Sequence, residues 1–133
     1  MNSLRKQIGK YLYLFLAAVY TLCVVGQFFT AGLAIFVSAA NWSHHFLFVH
    51  VFGFTIPFLL LLTAILGTLP RAVYWHLLAV GILMFAMYFT ANMRGHFPMI
   101  GAVHPIMGLM LLGASLSNLY TIFNLTFQKE QEA

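Results

Sequence analysis

The sequence predicts an all-α membrane protein, a bundle of four transmembrane helices with both termini on the cytoplasmic side. Three observations predict it. The 133 residues are 62% hydrophobic and only 6% charged, with a mean hydropathy of +0.94, whereas a soluble domain carries about a quarter charged residues. Four apolar stretches each reach the roughly 20 residues that a helix needs to cross a hydrocarbon core of about 30 Å. The lysines and arginines stand at the ends of those stretches and favour one side.

The stretches are 11–40, 45–69, 74–93 and 102–123, in a single membrane domain spanning 1–133. The first resembles a signal peptide because Arg5 and Lys6 precede it, but it far exceeds an h-region of about 7–15 residues and reads as a retained helix. It is also longer than a span requires. It must therefore tilt, kink near Gly26-Gln27, or project beyond the bilayer. Pro70-Arg71 closes the second helix, since proline cannot continue it. Gly101 precedes the fourth helix and Pro105 falls in its first turn, where a missing N–H costs nothing. Gly113 and Ser117 make a small-xxx-small pair on that helix, suited to close approach within one chain or between chains. Gln128–Ala133 reads as the only soluble tail.

Orientation follows from charge. Arg5, Lys6, Lys10, Arg71 and Lys129 fall on one side and Arg94 alone on the other, which puts both termini in the cytoplasm. Trp42 and Trp75 then mark opposite interfaces. The net charge of +4 is accounted for by these topology signals and implies no nucleic-acid partner. Cys23 has no second cysteine to pair with and reads as a small apolar residue. Asp and Glu are missing from every helix, which argues against a proton-relay pump.

Six histidines in so apolar a chain are the most informative feature. His44, His45, His50, His96 and His104 fall near the outer face, and His76 near the inner one. His50 lies five residues beyond His45, about 7 Å into the second helix. His104 opens the fourth at a similar depth. Imidazoles on two helices at one level suit bis-histidine ligation of a haem standing between them. Gly53 and Gly108 share a helical face with His50 and His104 respectively, leaving room for a flat macrocycle. Arg94 is the cation available to a propionate. Gln27 is placed to accept the free N–H of a ligand imidazole.

Two other readings stand beside this one. The histidines can hydrogen-bond between helices and only hold them together. Met93, His96, Met99, His104 and Met107 cluster around the third loop, with ligand types that suit an outward-facing copper ion.

Gln27 on the first helix, His50 with Gly53 on the second and His104-Pro105 on the fourth resemble a family of small bacterial membrane proteins with four helices, over nearly the whole chain. The outer-level pair is also similar to that of b-type membrane cytochromes and of one half of haem A synthase. The resemblance implies haem b ligated by His50 and His104 and an inner-membrane location. The chain departs from the two-haem members, because His76 has no partner at its level, so the sequence supports one haem near the outer face. The function expected is electron transfer with a quinone or a larger respiratory complex. The alternative is a non-catalytic membrane subunit packed against partner helices or against further copies of itself in a homo-oligomer, with lipid around it.

The charge bias makes a topology prediction. Reporter fusions after Trp42 and Gly95 should be external, and fusions after Arg71 and at Ala133 internal. An external C-terminus would require an odd number of spans and would undo the common depth of the histidines.

Overall fold

The structure, a computed structural model, describes residues 2–127. The tail Gln128–Ala133, with Lys129, lies outside the described residues. Six α-helices follow one another: α1 (Asn2–Phe36), α2 (Trp42–Phe52), α3 (Thr55–Gly67), α4 (Arg71–Met93), α5 (Pro98–Ala102) and α6 (His104–Phe127). A short 3-10 turn, Ala39–Asn41, joins α1 to α2. Taken as α1, α2 with α3, α4, and α5 with α6, they make four helical rods long and apolar enough to cross a membrane. The chain is a four-helix bundle, as its composition requires, and a multi-pass membrane protein.

Neighbours in sequence are neighbours in space. α1 packs on α2 and α3, α3 on α4, α4 on α6, and α6 closes the ring on α1. The second and fourth rods therefore stand on a diagonal. Among the described residues α2 makes no close backbone approach to α4 or α6.

α1 settles the question of its excess length. It runs unbroken for 35 residues, about 52 Å at 1.5 Å per residue. The helix is not interrupted at Gly26, against which the Phe48 ring rests. It starts before residue 11 and stops short of residue 40, so the excess lies in its first turns, with Arg5 and Lys6 exposed. Its buried face reads Tyr13, Ala17, Tyr20 and Val24, a three-four spacing that keeps one stripe turned inward.

The second rod departs from the sequence reading. In place of one helix over 45–69 there are two, parted at Gly53-Phe54. Pro57 explains the break. In a continuous helix its nitrogen would bond the Gly53 carbonyl, but proline has no N–H, and its ring crowds that carbonyl. The chain restarts with Phe58 donating to the Phe54 carbonyl at 3.0 Å. α3 then ends on Thr68 in the left-handed region, φ 49°. Leu69 donates back to the Ala64 carbonyl and Thr68 to the Ile65 carbonyl, which satisfies two end carbonyls before Pro70 opens α4.

One end of the bundle is tightly knit. Gly9 of α1 lies directly on Gly67 of α3. A Cβ on Gly9 would stand 2.3 Å from the Gly67 nitrogen, so neither backbone tolerates a side chain there. Tyr13 donates its buried hydroxyl to Asn118 Oδ1 at 2.8 Å, tying α1 to α6. His76 Nε2 and the Thr121 hydroxyl, 3.1 Å apart, tie α4 to α6. Gly113 plays no such part. It and Ser117 face outward, and a Cβ on Gly113 would meet nothing within 4 Å. The close approach expected of this pair within one chain belongs instead to Gly9 and Gly67.

Gly9→Val should therefore lower the melting temperature of the detergent-solubilised protein, because overpacking costs about 1–3 kcal/mol and here the obstruction is backbone. Gly113→Leu should leave monomer stability unchanged. Equal melting temperatures for Gly9→Val and wild type would refute the backbone contact.

Candidate functional site

The end of the bundle opposite the Gly9–Gly67 contact is open. α2 leans on α1 and leaves a gap toward α4 and α6, and two adjoining lobes occupy it. One, of about 370 Å³, is lined by Gln27, Trp42, His45, Phe46, Val49, His50, Met87, Tyr88, Thr90, Ala91, Asn92, Arg94, Gly101, His104 and Pro105. The other, of about 360 Å³, is bounded by Val24, Phe28, Ala31, Gly32, Ile35, Phe36, Phe52, Met84, Gly108 and Leu111. Both lobes share Gln27, Trp42, His45, Val49, Met87, His104 and Pro105, so His45 and His104 stand in the wall between them.

Three imidazoles thus reach one cavity, and the same chemistry holds each. His50 Nδ1 lies 2.7 Å from the Phe46 carbonyl, one turn back on its own helix. His104 Nδ1 lies 3.1 Å from the Met87 carbonyl and 3.1 Å from the Thr90 hydroxyl. A carbonyl can only accept, so both rings carry their proton on Nδ1 and present Nε2 as a lone pair. His45 Nδ1 lies 3.1 Å from the Thr30 hydroxyl. That hydroxyl is 2.9 Å from Gln27 Oε1 and 3.0 Å from the Gln27 carbonyl, both acceptors. The arrangement that satisfies all of them has His45 donating to Thr30 and Thr30 donating to Gln27. His45 then also presents a bare Nε2.

The sequence-derived residues fall out unevenly. Gln27, His50, Arg94 and His104 all line the first lobe. Gly108 lines the second, with the Phe28 ring 3.3 Å from where its Cβ would be. Gln27 does not reach His50 or His104. Its amide donates to the His45 carbonyl at 3.1 Å, and its oxygen serves His45 through Thr30. Gly53 lines neither lobe. It is buried at the break between α2 and α3, where the Met84 methyl, the Val49 carbonyl and the Tyr88 hydroxyl fill the space of a side chain. Arg94 is exposed at the rim, its guanidinium 5.5 Å from the centre of the Phe46 ring.

Other groups complete the site. The Tyr88 ring meets His50 edge-on at 5.5 Å and stacks on Phe54 at 5.3 Å, while its hydroxyl points to the Val49 carbonyl. Thr30 is missing from the sequence reading, although its place three residues after Gln27 on the same face of α1 is a signal that could have found it. Thr90 and Tyr88 carried no such signal, because a polar group in an apolar helix reveals its partner only when the helices pack. Below the cavity, the Tyr20 hydroxyl is buried without a hydrogen-bond partner among the described residues. His44 bonds Asn41 at the surface, and His96 and Met99 are exposed around α5. Among the described residues, no group of three or more His, Cys, Asp or Glu side chains is placed to hold a metal ion.

Residues 27–93, just over half of the chain, match the model of DUF6220, a family of unknown function, and the chain belongs to that family. The match begins at Gln27, takes in α2, α3 and α4, and stops before Arg94 and His104. No curated protein and no solved structure matches the chain.

The tautomers are measurable. Nitrogen-15 spectra of imidazole-labelled protein above pH 7 should show His45, His50 and His104 protonated on Nδ1. Thr30→Val should release His45 alone toward the Nε2–H form that free imidazole side chains prefer, leaving the other two unchanged. An Nε2–H signal from His50 or His104 in the wild type would contradict the geometry.

Proposed function

We propose that this DUF6220 protein is a b-type haem protein of the bacterial inner membrane. It holds one haem near the outer face and exchanges electrons with a quinone or a larger respiratory complex. In this reading both termini are cytoplasmic, so the open end of the bundle faces outward. His50 and His104 are the axial ligands.

The observation that supports this most is the tethering of the imidazoles. A ligand histidine is normally oriented by a hydrogen bond from its other nitrogen. His50 and His104 have that bond, to the carbonyls of Phe46 and Met87, and each leaves Nε2 for iron. Iron in a porphyrin takes four of its six ligands from the macrocycle and asks the protein for two. Arg94 at the rim provides a cation for a propionate, and Gly108 thins the wall beside His104.

A bound haem would supply a one-electron couple. The chain's own residues define what it can do with it. If His50 and His104 both held the iron, the site would favour electron transfer over oxygen chemistry. Trp42, Phe46 and Tyr88 border the cavity and keep its surroundings apolar. The outward face of α6 at Gly113 and Ser117 favours a second reading, a membrane subunit or homo-oligomer in which that face meets another helix.

Absorption spectroscopy tests the proposal. Protein purified in detergent, or supplied with hemin, should show a sharp Soret band that shifts on reduction. His50→Ala and His104→Ala should each abolish it or leave weak five-coordinate haem. His44→Ala, His45→Ala and His76→Ala should retain it. A folded preparation that stays colourless with added hemin would overturn the haem reading.

A further inference from the structure

The haem reading uses the first lobe and touches the second only at Gly108, leaving the rest of that lobe unexplained. That lobe is almost wholly apolar, with Phe28, Phe36, Phe52 and Met84 among its walls, and its polar groups are confined to one end, where Gln27, His45 and His104 stand. A slot of this kind takes an amphiphile that inserts from the bilayer, tail along the apolar walls and head at the polar end. The chemistry of that end restricts the head.

Among the described residues, no lysine or arginine lines this lobe, since Arg94 belongs to the other one. A phosphate head would be desolvated there without a counter-charge, at high cost. The head must therefore be neutral. The Gln27 and Thr30 oxygens and one amide hydrogen of Gln27 are engaged with one another and with His45. His45 Nε2 faces the lobe as an acceptor. A partner of that nitrogen must donate, so a hydroxyl pairs with it. The aromatic walls favour a flat ring as the bearer of that hydroxyl.

We propose that this lobe is a binding site for a membrane quinol, whose ring hydroxyl donates to Nε2 of His45. The site deepens the haem reading and rests on it for its physiological meaning. His104, a haem ligand in that reading, stands in the wall between the lobes, so quinol and haem are neighbours across one imidazole. His45 is thereby a substrate-binding residue rather than a ligand to iron. Gly32 is what keeps the slot clear: a Cβ there would meet nothing within 4 Å, so a larger side chain enters open space rather than packed structure.

Ligand-induced stabilisation tests this, because a ligand that binds only the folded protein raises its melting temperature in a concentration-dependent way. The detergent-solubilised protein is titrated with decylubiquinol under anaerobic conditions, with its dimethyl ether and with decanol. The expected result is a saturable rise with decylubiquinol alone, lost in Gly32→Phe and shifted to at least tenfold higher concentration in His45→Ala. The comparison of quinol with ether needs no variant and stands even if Gly32→Phe fails to fold. An equal rise with the ether or with decanol, or no rise with the quinol, overturns the proposal. The experiment does not depend on haem: a colourless protein that still binds the quinol would sink the haem reading alone, and a protein with a Soret band but no quinol response would sink this one alone.

Discussion

The break that Pro57 forces in the second rod is the constraint on which the rest of this structure depends. A proline four residues beyond Gly53 denies that residue's carbonyl its helical partner, and α2 and α3 are free to point differently. α3 stays in the bundle, packed on α1 and α4, while α2 follows α1 and draws away from α4 and α6. The gap so created is the cavity.

An opened end needs a closed one to hold the bundle together, and the two ends are built by different means. At the closed end, Gly9 on Gly67 brings two backbones into contact, and the hydrogen bonds Tyr13–Asn118 and His76–Thr121 join helices across the interior. Lipid offers no hydrophobic gain for packing one apolar helix on another, so close van der Waals contact and internal polar pairs carry the association. At the open end the same kinds of polar group are spent differently. Thr30, Thr90 and the carbonyls of Phe46 and Met87 hold imidazoles in place. Those bonds fix the orientation of the rings.

Much of the candidate site was legible in the sequence, but not its internal assignments. Polar and ionisable residues inside a membrane are few and stand out, so His50, His104, Gln27 and Arg94 could be picked from the chain, and all four line the cavity. His45 was visible too, yet it looked like a helix start. The helix begins at Trp42, and this places His45 one turn inside and facing Thr30. Gly53 shows the opposite error. Its backbone is still helical and bonded to Val49, but the Met84 methyl and the Tyr88 hydroxyl fill the space beside it. Which glycines bring helices together was equally hidden, because Gly113 and Gly9 look alike in the sequence and differ only in what stands opposite them.

The sequence by itself determined that this chain lives in lipid, that it crosses in four rods, and that its ionisable side chains concentrate toward one end. These are consequences of composition and of the length a helix needs to span a hydrocarbon core, and neither depends on how the rods meet. Tertiary structure decided which imidazoles share a cavity, which nitrogen each one presents, that Gln27 serves His45, and that the space divides into a polar lobe and an apolar one. Those facts rest on contacts between residues far apart in the chain, such as Thr30 with His45 and Met87 with His104. An apolar helix carries almost no periodic signal of which way it faces when every side of it meets lipid or another apolar helix. Only the packed bundle supplies that direction.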